Sequence, residues 1–143
     1  MPKKDEKRLQ LIREALAGAA GAGHDAVVDQ TLWPWKQLAA HLTPVIGDAG
    51  FCALYGRTVR LAMSDFSWLT AVEPAQTIDS LFLTLKEDFA ATDVQSMAQA
   101  NFALLERYTG LLSTLIGEML TTRILNSAWN KGSDGKNTQE MST

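Results

Sequence analysis

Apolar residues recur at helical spacing along most of the chain. Near the N-terminus they fall at Leu9, Ile12 and Leu16. A later segment repeats the spacing at Ile78, Leu81, Phe82, Leu85 and Phe89. Residues three or four positions apart lie on one face of an α-helix, and no repeat of 20–50 residues indicates a solenoid or propeller. The pattern predicts an all-α fold, a compact bundle of about five helices.

Glycines, prolines and capping residues set the boundaries of the first two predicted helices. The first helix begins near Lys4 and ends at the glycine cluster in residues 17–23. The second begins at Thr31, a residue type that caps helix N-termini. It is expected to break at Thr43-Pro44, because Pro44 lacks an amide hydrogen and disfavours helical geometry at the residue before it.

Three further helices are predicted in the second half of the chain. Asp48 is expected to cap a third helix over residues 49–63, and a fourth begins after Thr77. Thr92 to Gln95 has the spacing of a capping box, and no proline follows before Trp129. The sequence therefore predicts one long C-terminal helix over residues 93–129. At 1.5 Å per residue it would extend roughly 55 Å, so it is a central spine, bent at a glycine, or shared with another chain.

The domain organisation follows from where the apolar residues stop. Residues 1–129 are predicted to form a single helical domain. Residues 130–143 contain almost no apolar side chains, so they are expected to form a disordered tail.

Charge and cysteine content narrow the class of protein. The chain of 143 residues carries 13 Lys and Arg against 16 Asp and Glu, a net charge of −3, which is unlike a nucleic-acid binder. Its single cysteine, Cys52, excludes an intrachain disulfide and fits a reducing compartment. The N-terminal residues lack the apolar core of a secretory signal, and the longest apolar stretch contains Glu118 and Arg123. We expect a cytoplasmic protein without nucleic-acid or membrane partners.

A row of small residues runs along the predicted long helix. Ala103, Gly110 and Gly117 recur at intervals of seven, and each glycine costs roughly 1 kcal/mol in a helix relative to alanine. A close helix crossing would compensate that cost. The crossing is either within the chain or between two copies of it, and a ligand lying against the glycines is a third reading. These three residues are the candidate interface of a homodimer.

Glu118 is the ionisable residue most expected to be partly buried, because leucines share its line on the helix. A buried carboxylate needs a hydrogen-bonding or cationic partner. Arg57 or Arg60 is expected to supply it. The pair is then a packing contact, a ligand-binding site or an acid–base site.

The motifs of common enzymes and cofactor proteins are absent from the sequence. It contains no P-loop, no zinc-binding spacing, no HExxH or paired ExxH, and no nucleophile elbow. We therefore predict no catalytic residues, no metal and no cofactor. His41 lies in an aromatic-rich helix that would suit a haem ligand, but a lone histidine near a helix end more often caps or packs.

Three functions remain open. The leading hypothesis is a small helical interaction or regulatory module that self-associates through the long helix, or binds another protein. The alternative is a small-molecule or cofactor sensor or carrier with a pocket between helices. Its lining would comprise Trp33, His41, Tyr55 and Arg57. An enzyme that uses Glu118 with an arginine is the third hypothesis, and no motif supports it.

Overall fold

Five α-helices and their connections make up the described part of the chain. The computed structural model describes residues 2–16, 24–72 and 77–129, and these contain no strand. The helices are α1 (Pro2–Leu16), α2 (His24–Ala62), α3 (Ile78–Ala90), α4 (Val94–Ile116) and α5 (Glu118–Trp129). The predicted all-α bundle of about five helices is confirmed. The predicted glycine-rich connection at 17–23 and the predicted tail at 130–143 lie outside the described residues.

Helix α2 is the centre of the bundle and packs against the other four helices. Helix α1 also contacts α4 and α5, whereas α3 packs mainly on α2. The core is built around the fully buried Trp35 of α2. Its ring makes edge contacts with Tyr55 at 5.2 Å and with Tyr108 at 5.3 Å between ring centroids. Aromatic pairs in this arrangement add stability beyond the area that they bury.

Buried polar atoms in the core are paired across helices. The indole nitrogen of Trp35 donates to Oδ1 of Asn101 at 2.7 Å, and Nδ2 of Asn101 donates to the carbonyl of Thr31 at 3.1 Å. The indole nitrogen of Trp129 donates to the carbonyl of Pro34 at 2.9 Å. We call this cluster of Trp35, Asn101 and Trp129 the core junction, where α2, α4 and α5 meet.

Two boundaries predicted in this region, the start at Thr31 and the break at Thr43-Pro44, differ from those of helix α2. It begins at His24 rather than Thr31, which is buried inside the helix. It also continues through Pro44, and the non-helical residue is Gly47, with φ 81° and ψ 163°. A proline removes one hydrogen bond and bends a helix without having to end it. The backbone angles of Gly47 belong to a region that is essentially restricted to glycine, so the break lies there.

The predicted continuous helix over 93–129 is wrong in one respect, because Gly117 divides it. Gly117 has φ 96° and ψ 151°, outside the helical region, and α5 begins at the next residue. Its amide still donates to the carbonyl of Ser113 at 2.8 Å, so α4 ends in a hydrogen-bonded cap. A bend at a glycine is one of the alternatives for this helix in the sequence, and it is the one observed.

The starts predicted after Thr77 and at the Thr92 capping box correspond to the starts of α3 and α4. Thr77 caps α3, and its hydroxyl accepts a hydrogen bond from the amide of Ser80 at 3.1 Å. The cap of α4 is Asp93 rather than Thr92, with the amide of Ser96 donating to its carboxylate at 3.0 Å. This hydrogen bond lowers the pKa of Asp93. The predicted starts are therefore correct to within one residue.

Candidate functional site

The break at Gly117 places Glu118 against α1. Oε2 of Glu118 is buried, accepts no hydrogen bond from the described residues and lies 3.8 Å from Nε of Arg8. The hydroxyl of Ser113, in the last turn of α4, donates to Oε1. The predicted partners Arg57 and Arg60 are both exposed on α2, so that expectation was wrong. The cation comes from α1 because α1 packs against both α4 and α5.

Arg8 is held in place by the end of α4. Its side chain is only 10% exposed, and Nη1 donates to the carbonyl of Glu106 and to Oγ1 of Thr109, both at 3.1 Å. A Cβ atom at Gly110 would lie 3.8 Å from the same nitrogen. Gly110 therefore faces an arginine side chain, which is an ordinary packing contact and not a close crossing of two backbones.

Arg8 was not predicted as a site residue because it lies in a strongly charged segment, and such a segment is typical of a solvated helix face. A signal was nevertheless present. Arg8 precedes Leu11 by three residues and Ile12 by four, and both are buried. Residues at these separations share a helix face, so the spacing places Arg8 toward the core.

An open groove of about 930 Å³ lies beside this ion pair, where α1 meets the break between α4 and α5. Its apolar part is formed by Ile116, Met119 and Leu120, and Lys7 and Arg123 add two positive charges. Glu118 also lines it, with its charge facing Arg8. We call this feature the junction groove.

Comparison of the chain with protein-family models, curated proteins and solved structures finds no match in any of the three. The geometry of the junction groove therefore carries the functional argument.

Large apolar side chains are exposed at the junction groove. Met119 is 78% exposed and Leu120 is 38% exposed, and both line the groove. Leu115, in the last turn of α4, is 66% exposed and lies outside the groove lining. Single exposed apolar residues are common on protein surfaces, but a group of them indicates an interaction site.

The three residues of the predicted interface have different environments. Ala103 is half-buried, and Gly110 faces Arg8. A Cβ atom added at Gly117 would have no atom within 4 Å in the described residues, so no helix crosses closely at this position. The physical reason for glycine here is its positive φ. A contact between subunits through these three residues remains a prediction.

The residues of the predicted sensor pocket do not share either of the two cavities found among the described residues. Tyr55 is buried and lines a cavity of about 10 Å³, the volume needed by roughly one water molecule. Burial raises the pKa of the Tyr55 hydroxyl. Trp33, half-buried, and the exposed His41 and Arg57 are not among the residues that line this cavity. Nδ1 of His41 lies 2.9 Å from the carbonyl of Gln37, one turn earlier in the same helix.

The described part of the chain contains neither a metal-ligand cluster nor a membrane-spanning helix. Residues 2–16, 24–72 and 77–129 contain no group of three or more His, Cys, Asp or Glu placed to hold a metal ion. In the same ranges, none of the helices has the length and apolar character that crossing a bilayer requires. Cys52 is half-buried, and burial together with the charge of Asp48 raises the pKa of its thiol.

Proposed function

We propose that this protein is a small helical interaction module that self-associates through the junction groove. The observation that carries the proposal is the exposure of Leu115, Met119 and Leu120 around the break between α4 and α5. Fully burying one exposed side chain of this kind contributes about 1.5–3 kcal/mol, and the gain is smaller for Leu120, which is already mostly covered.

The form of the groove supports a protein partner over a small molecule. Sites for small ligands enclose most of the ligand surface, whereas this groove is open to solvent and has charged residues at Lys7 and Arg123. An apolar centre with a charged margin is the usual arrangement of a protein interface. Met119 also has a flexible side chain that adapts to the shape of a partner.

The break at Gly117 changes the surface through which we propose self-association. The sequence predicted a contact along the small residues of one long helix. A row of glycines along one straight helix would have brought two backbones together. The surface now proposed consists of large apolar side chains on either side of Gly117. The cavity beside Tyr55, at about 10 Å³, offers no comparable support for a cofactor carrier.

Sedimentation equilibrium on the double variant Leu115→Ser/Met119→Ser tests this proposal. We expect the mass of the wild-type protein to rise with concentration, and the mass of the variant to stay at the monomer value. Circular dichroism should show the same helix content for both, because neither side chain belongs to the core.

The matched control is Val45→Ser/Leu61→Ser, which removes two exposed apolar side chains from α2. The control should associate like the wild type. A wild-type protein that remains monomeric at every concentration would contradict the proposal, as would a control that loses association equally.

A further inference from the structure

Helix α3 presents an exposed ridge on the side opposite its core contacts. Leu83 is 58% exposed and lies between Asp79 and Glu87, which are exposed at four residues before and after it. Residues four apart form a continuous ridge on a helix surface. The opposite face of α3 is buried through Leu81, Phe82, Leu85 and Phe89. We call Asp79, Leu83 and Glu87 the α3 ridge.

The α3 ridge and the junction groove are opposite in charge. The groove has Lys7 and Arg123 beside its apolar residues, and the negative charge of Glu118 faces Arg8. The ridge has two carboxylates beside one apolar side chain. Lys86, also exposed on α3, has its ammonium group 3.7 Å from Oδ1 of Asp29 on α2, which offsets its charge.

The two surfaces belong to different parts of the bundle. Helix α3 packs mainly on α2, whereas the groove is formed by α1, the end of α4 and α5. A single copy of the chain can therefore offer its ridge to one neighbour while its groove receives another. Such a contact joins two different surfaces, and it closes a dimer, a ring or an open chain according to its geometry.

We propose that the α3 ridge of one copy docks in the junction groove of a second copy. Leu83 packs on Ile116, Met119 and Leu120, and the carboxylates of the ridge face Lys7 and Arg123. Opposite charges on the two sides of an interface steer the encounter and fix its orientation. This inference rests on the proposed self-association and names the surface that enters the groove.

Charge reversal tests the pairing directly. The groove variant is Lys7→Glu/Arg123→Glu, and the ridge variant is Asp79→Lys/Glu87→Lys. Each alone places like charges at the contact, so we expect each to raise the dissociation constant at least roughly tenfold, the equivalent of about 1.4 kcal/mol. In an equimolar mixture, both groove–ridge contacts between unlike copies join opposite charges, one with both signs reversed and one with both unchanged, so the mixture should form a complex of 1:1 stoichiometry. Sedimentation velocity with one variant fluorescently labelled measures both effects.

The control for net charge is Lys36→Glu/Arg60→Glu, which changes the charge as much as the groove variant does at two exposed positions of α2. It should associate like the wild type. A groove or ridge variant that associates normally, or a mixture that forms no complex, overturns this inference while wild-type association leaves the proposed function standing. A wild-type protein without any association overturns both.

Discussion

The two ends of helix α5 differ in how they meet the rest of the molecule. At its C-terminal end Trp129 is 8% exposed, and its indole donates to the carbonyl of Pro34 in the core junction. At its N-terminal end Met119 is 78% exposed and lies in an open groove. Both ends carry large apolar side chains, so composition does not distinguish them. One end of α5 therefore stabilises the fold, whereas the other leaves apolar surface exposed to solvent.

Helix α4 shows the same contrast within a single turn. Leu112 is fully buried, and Leu115, three residues later, is 66% exposed. The change coincides with the approach to Gly117, where the chain turns away from the α4 axis. Gly117 thus lies inside a largely exposed stretch from Leu115 to Leu120, and buried residues occur on both sides of that stretch, at Leu112 and Thr121.

The largest expected effect separates these two leucines. Leu112→Ala should lower the free energy of unfolding by about 2–5 kcal/mol, because it leaves a cavity in the core. Leu115→Ala should change it by no more than about 0.5 kcal/mol, because the side chain is mostly in solvent. Urea denaturation, at a concentration where the protein is monomeric, measures both. A similar loss of unfolding free energy for the two variants would show that Leu115 is not exposed to solvent at the end of α4.

Effects of intermediate size are expected for alanine substitutions of Gly110, inside α4, and Gly117, at its C-terminal cap. Gly117→Ala should cost about 1–3 kcal/mol, because alanine rarely adopts the backbone angles found there. Gly110→Ala should stabilise the protein by about 0.4–1 kcal/mol, because Gly110 is helical and its Cβ would make only an ordinary contact with Arg8.

Thermal unfolding of both glycine variants gives the sign of each change. Opposite signs are the expected result. A stabilising Gly117→Ala would mean that α4 and α5 join into one helix, as the sequence pattern alone predicts.

The sequence could predict an all-α bundle, because the spacing of apolar residues is a local property. The total of five helices agrees although the divisions differ. The predicted helices that begin at Thr31 and at residue 49 form one helix α2, and the predicted helix over 93–129 is divided at Gly117. The sequence could also place the starts of α3 and α4 at Thr77 and near Thr92, since capping depends on a few neighbouring residues. It could not distinguish Gly110, which is helical, from Gly117, which ends α4. Both glycines belong to the same seven-residue spacing of small residues, and that spacing does not indicate which of them leaves the helix.

The candidate site was only partly predictable for the same reason. Glu118 was correctly expected to be partly buried and paired, and its side chain is 18% exposed beside Arg8. The spacing within α1 places Arg8 toward the core, but the residue that it meets there depends on how α1 packs against α4 and α5. The junction groove itself exists only because Gly117 bends the chain, so it has no signature in the apolar spacing.

The most direct measurement of self-association at the junction groove is the rate of methionine oxidation at two protein concentrations. Met119 is exposed and Met97 is fully buried, so peroxide should oxidise Met119 much faster in the dilute monomer. At high concentration we predict that oxidation of Met119 slows, while Met97 reacts slowly at both concentrations. Peptide mass spectrometry reads each site separately. An unchanged rate for Met119 between dilute and concentrated protein would contradict the account.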